Sequence, residues 1–150
     1  MFRSKIKEEK YNDSYDDEGF EIATASAKRT GLPYDLWIDS VGKDRNVSNN
    51  SPKVKVSSNG EQISLLIAAK SKVLAGDEKK FRKLSEIMKF IEDNYEAFLF
   101  HWNKRWGDLE MLHYIEYVAK GARGGKTKSQ AISLLIKNEY ITEYPEGYMI

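Results

Sequence analysis

The chain has 150 residues, 41% apolar and 31% charged, a length and balance suited to a soluble domain that buries its own core without covalent staples. Its 24 basic and 23 acidic side chains nearly cancel, so a nucleic-acid or anionic-membrane partner would need a local patch rather than the overall field. The absence of cysteine removes disulfides, thiolate zinc sites and cysteine nucleophiles together, and a cytoplasmic setting is expected.

No apolar run approaches the roughly 18 residues of a membrane span, so no membrane partner is expected, and the polar start does not read as a signal peptide. Residues 1–18 mix Arg3, Lys5, Lys7 and Lys10 with Glu8, Glu9, Asp13, Asp16, Asp17 and Glu18. So few apolar groups cannot offset the entropy of ordering, and the segment reads as a flexible charged tail. An α+β domain is expected over 19–106 and a helical extension over 107–150, packed on the same core.

Within the α+β domain, "FEIATAS" alternates with Phe20, Ile22 and Thr24 on one side, and "YDLWIDS" does so with Tyr34, Leu36 and Ile38. Trp37 then faces the other way, beneath a covering helix or on a contact surface. The polar stretch from Val41 to Pro52 reads as a loop. "KVKVSS", Asn59-Gly60 and "EQISLLIA" predict a hairpin on a type I′ turn, with Val54, Val56, Ile63, Leu65 and Ile67 inward.

Asp77 reads as the N-cap of a long helix whose apolar stripe runs from Phe81 to Trp102, with Asn94 as a point of kinking or breakage. Gly107 ends that unit, and "DLEMLHYIEYVAK" predicts the next helix. The predicted fold is α+β: a small antiparallel sheet of three to five strands packed by a long helix, then a helical C-terminal region with a terminal hairpin turned at Pro145, Glu146 and Gly147.

The order of the "GLP" turn, the strand "LWID", the loop ending in "SPKVKV", the "SKVLAG" connection and the helix closing on "IEDNYEAFLFHWN" resembles a small bacterial domain family of unknown function. The resemblance covers Thr30 to Trp106. That family's hallmark is Pro-Pro-His-x-His-Val; here the positions are Ser51, Pro52, Lys53, Val54, Lys55 and Val56, with lysine in place of both histidines. The resemblance implies a bacterial or phage origin, near antitoxin-like genes or on mobile elements.

"GARGGKTKS", residues 121–129, carries the Gly-Lys-Thr triplet that ends a phosphate-binding loop. That loop needs its first glycine at 120, which is Lys120, and a strand before it, where a helix is predicted. The segment reads instead as a helix C-cap at Gly121, a solvated connector, and an N-cap at Thr127 or Ser129. Lys120, Arg123, Lys126, Lys128 and Lys137 form a basic block with no acid between 120 and 138, a candidate for phosphate contacts. Helix, turn, helix and hairpin is the order of winged DNA-binding domains, but only two helices follow Trp106, short of their three-helix core.

His101 and His113 lie twelve apart on different predicted helices, with Glu110 and Glu116 nearby, and fit no metal-ligand spacing; they read as structural, and no metal or cofactor is implied. Asp35 and Asp39 on one strand would stand roughly 13 Å apart, too far for concerted acid–base work, and read as guards of a sheet edge. No catalytic residue is singled out. Three classes remain. A noncatalytic protein-interaction module would present Trp37, Lys43, Arg45, Trp102 and Trp106 to another protein. A nucleic-acid binder would use the basic block, and an enzyme or small-molecule binder would need a pocket.

Overall fold

The computed structural model describes residues 23–38 and 51–148. The expected tail, Phe20, Ile22, Asp39 and most of the Val41–Pro52 loop lie outside them. Five antiparallel strands form one sheet whose spatial order is the chain order: β1 (Ala23–Ala25), β2 (Asp35–Ile38), β3 (Lys53–Ser58), β4 (Glu61–Leu66) and β5 (Val73–Ala75). Among the described residues the edge strands β1 and β5 each have three residues.

The β3–β4 hairpin is the predicted one. Ser58 pairs with Glu61, and Asn59 (φ 51°) and Gly60 (φ 82°) take the left-handed angles of the type I′ turn. That register points Val54, Val56, Ile63 and Leu65 to one face, where all four are buried together with Leu36 and Ile38 of β2. In β1 the inward residue is Ala25, paired with Leu36, whereas Thr24 pairs with Trp37 on the opposite face. Thr24 therefore lies on the Trp37 face of the sheet. "SKVLAG" is not a plain connection: its centre forms β5, entered through a register shift between Ser64 and Leu65.

The helices cover the Leu36 face. They are α1 (Ala27–Thr30), α2 (Leu84–Asp93), α3 (Tyr95–Trp102), α4 (Asp108–Arg123) and α5 (Lys128–Lys137). Ile87, Ile91, Phe98, Ile115, Ile132 and Leu135 join the strand residues in one core cluster. Burying each such side chain stabilises the fold by about 1.5–3 kcal/mol. On the other face Thr24, Trp37, Lys55, Ser57 and Ser64 are only half-buried, so the described residues do not seal it.

Two local features differ from the sequence expectation, the start of the long helix and the role of Asp35, whereas its break at Asn94 is the one expected. Asp77 caps a 3-10 turn over Glu78–Lys80, accepting from Lys79 N at 3.0 Å, and α2 begins only at Leu84. The long helix divides at Asn94, whose Nδ2 donates to Phe90 O at 2.9 Å while its Oδ1 accepts from Tyr114 OH at 2.6 Å. The buried amide thus competes with the helical backbone and ties the break to α4. Asp35 does not guard an edge: β2 is interior, and the carboxylate accepts from Ala27 N at 2.7 Å at the start of α1.

Among the described C-terminal residues no strand forms, so the expected hairpin is replaced by a strap. Ile141 is buried, Trp106 Nε1 donates to Glu143 O at 2.9 Å, and Tyr148 OH accepts from Ala97 N at 3.1 Å. The strap's polar groups bond to Trp106, between α3 and α4, and to α3. Pro145–Tyr148 is only a turn, closed by Tyr148 N donating to Pro145 O at 3.2 Å.

Candidate functional site

The five residues of the basic block do not act alike. Helix α4 runs past Gly121 to Arg123, with Gly124 at its C-cap, and α5 starts at Lys128 with Thr127 as its N-cap. Thr127 Oγ1 accepts from Gln130 N at 3.1 Å and Thr127 N donates to Gln130 Oε1 at 2.8 Å, a reciprocal capping box. This capping confirms a helix-to-helix connection rather than a phosphate cradle after a strand.

Lys120 pairs with Glu116 at 3.2 Å on the same helix. Lys128, expected in a solvated connector, turns inward: its Nζ donates to Asp93 O at 2.7 Å and stands 4.2 Å from the centre of the Tyr148 ring. Burial lowers its pKa, opposed by Asp93 and Glu96. Arg123, Lys126 and Lys137 are exposed and have no carboxylate partner among the described residues. The block therefore reduces to three available cations, with Lys137 at the far end of α5.

The expected partner-binding residues also separate. Lys43 and Arg45 lie outside the described residues. Trp37 is half-buried, its Nε1 donating to Ser57 Oγ at 3.0 Å across the strands. Trp102 is half-buried at the end of α3, with Lys53 Nζ 5.6 Å from its ring. Trp106 is a correction. It is 1% exposed, meets Phe100 edge-on at 5.3 Å and Tyr114 at 5.1 Å, and is a core residue that no partner reaches.

Both histidines have defined partners. His101 is buried at the end of α3, and its Nε2 hydrogen-bonds Asp108 Oδ1 at 2.6 Å at the start of α4, joining the two helices. The sequence reading named Glu110 and Glu116 as the carboxylates of interest; Glu110 accepts from Gly107 N at 2.7 Å, and Glu116 binds Arg29 at 2.8 Å. Among the described residues no three His, Asp or Glu side chains gather as a metal site would require.

His113 leads to a surface that the sequence reading missed. Leu109, His113 and Tyr117 follow at four-residue steps along α4, forming one stripe. The Tyr140 ring stacks on His113 at 3.9 Å and 10°, and meets Tyr117 edge-on at 5.7 Å. Among the described residues, Leu109 (48% exposed), Ile136 (37%) and Tyr140 (37%) are the large apolar side chains most open to solvent, and all belong to this C-terminal region. The four-residue spacing was visible in the sequence. That the stripe faces outward depended on how α4 is rotated against the sheet.

An open cleft of about 300 Å³ lies between α1, α2 and α4, with Gly31, Leu32, Phe90, Ala119, Ala122 and Arg123 among its lining residues. Among the described residues no helix is long and apolar enough to cross a membrane. In comparisons with known proteins, the chain matches no family model, no curated protein and no solved structure. The resemblance noted in the sequence rests on its residue layout alone.

Proposed function

We propose that this chain is a noncatalytic recognition protein that binds another protein through the α4–α5 surface, in the bacterial or phage mobile-element setting implied by the sequence resemblance. The supporting observation is the Tyr140–His113 stack, flanked by Tyr117 and Leu109. A tyrosine held against a second ring presents contact area with little side-chain freedom left to lose, the property of residues that dominate interface energies.

The test is affinity capture from a host lysate, with and without nuclease, using wild-type protein and the double variant Leu109→Glu, Tyr140→Ala. Both positions are exposed, so circular dichroism should report an unchanged fold. The reading expects a nuclease-resistant protein partner that the double variant loses. Capture that disappears with nuclease and falls steeply with salt overturns it in favour of nucleic-acid binding through Arg123, Lys126 and Lys137. Equal capture by both proteins overturns the assignment of this surface.

A further inference from the structure

We propose that the cleft between α1, α2 and α4 binds a small organic monocarboxylate with an apolar body, gripped by the guanidinium of Arg123. A Cβ on Gly31 would stand 2.2 Å from Arg123 Cζ, 2.2 Å from Nη2 and 2.4 Å from Nη1. Near-equal distances to three atoms of one plane place the guanidinium face-on against Gly31. Its N–H edges therefore point away from that contact. Gly31 (φ 83°) is the left-handed residue that ends α1, so one glycine both closes the helix and leaves room for the guanidinium.

The charges around it set the ligand class. Arg29 and Lys120 both bind Glu116, and Lys89 binds Asp93, whereas Arg123 has no acidic partner among the described residues. A planar carboxylate matches the exposed edge of the fork with two parallel hydrogen bonds. Leu32, Phe90, Ala119 and Ala122 supply an apolar wall, and the volume of about 300 Å³ is at the lower limit for small-ligand sites. Lys89, Asp93 and Glu86 also line the cleft; the Lys89–Asp93 pair cancels its own charge, and the remaining Glu86 carboxylate disfavours a dianion such as a phosphomonoester more than a monoanion. The site uses a different face of α4 from the Leu109–His113–Tyr117 stripe, so it stands or falls independently of the partner surface.

The test is a two-dimensional NMR titration of the full chain with phenylacetate, phenylacetamide and phenyl phosphate. Phenylacetate should give saturable shifts at the amides of Gly31, Leu32, Ala122 and Arg123. Phenylacetamide should bind about ten-fold more weakly, as should phenylacetate to Arg123→Gln, because each change removes one half of the ion pair. Arg123→Lys, which keeps the charge and loses the fork, should fall between. Arg123 is exposed, so the variants keep the wild-type spectrum elsewhere. Absent shifts, equal binding of acid and amide, binding unchanged in Arg123→Gln, or phenyl phosphate binding as tightly as phenylacetate would each overturn the proposal.

Discussion

Replacing Lys128 with alanine asks whether the basic block is one solvated surface or a mixture of structural and free cations. The ammonium donates to Asp93 O at 2.7 Å and lies 4.2 Å from the Tyr148 ring centre, so it fastens the strap to the end of α2. A hydrogen bond from a charged donor contributes about 1.5–3 kcal/mol, and a cation over an aromatic ring about 0.5–2 kcal/mol. Burial of the charge, which lowers the Lys128 pKa, works against both. The net expected loss is about 1–2 kcal/mol, or a Tm lower by roughly 2–8 °C for a domain of this size. Lys126 has no comparable contact, and Lys126→Ala should stay within about 0.5 kcal/mol. Calorimetry on the two variants at neutral pH makes the comparison, with urea unfolding as a second measure. If Lys128→Ala is as neutral as Lys126→Ala, the reasoning fails and all five cations return to one solvated surface.

Asn94→Ala should cost about 1–3 kcal/mol in urea unfolding, because it removes the amide acceptor of the buried Tyr114 hydroxyl. Combining it with Tyr114→Phe should cost less than the sum of the single changes; strict additivity would refute the coupling. Trp106→Ala should lose about 3–5 kcal/mol by the same measure, whereas a loss below about 1 kcal/mol would contradict its place in the core. Burial pushes the Tyr148 hydroxyl from 10.0 up to about 12 and raises that of Tyr114 further. The folded state then holds protons that the unfolded chain releases, so this stabilisation is intact below about pH 10 and is lost as pH rises towards 12. For Tyr148 the loss is on the order of 2–3 kcal/mol. Lys128, shifted downward, contributes a smaller effect of opposite sign. Chemical denaturation at stepped alkaline pH checks the direction, and a flat profile between pH 9 and 12 would refute it.

The β3–β4 hairpin was legible because both of its determinants are local. Asn59-Gly60 selects the turn, and period-two alternation assigns Val54, Val56, Ile63 and Leu65 to one face. The two C-terminal helices and the Thr127 cap were legible for the same reason. Alternation alone did not say which face Thr24 takes; register against β2 puts it beside Trp37. The terminal hairpin failed because a local turn signal at Pro145–Gly147 says nothing about whether a partner strand exists; Glu143 and Tyr148 bond to Trp106 and α3 instead.

The sequence by itself determined the α+β class, the hairpin, the helical C-terminal half and the failure of the phosphate-loop spacing, since each depends on residues a few positions apart. Only the tertiary structure decided which cations and aromatics are available. It turned Lys128 onto Tyr148, buried Trp106, stacked Tyr140 on His113 and laid Arg123 across Gly31. The Lys128–Tyr148, Tyr140–His113 and Arg123–Gly31 pairs join residues from 20 to 92 positions apart. Their placement depends on how α4, α5 and the strap pack against the rest of the fold, which no local pattern encodes.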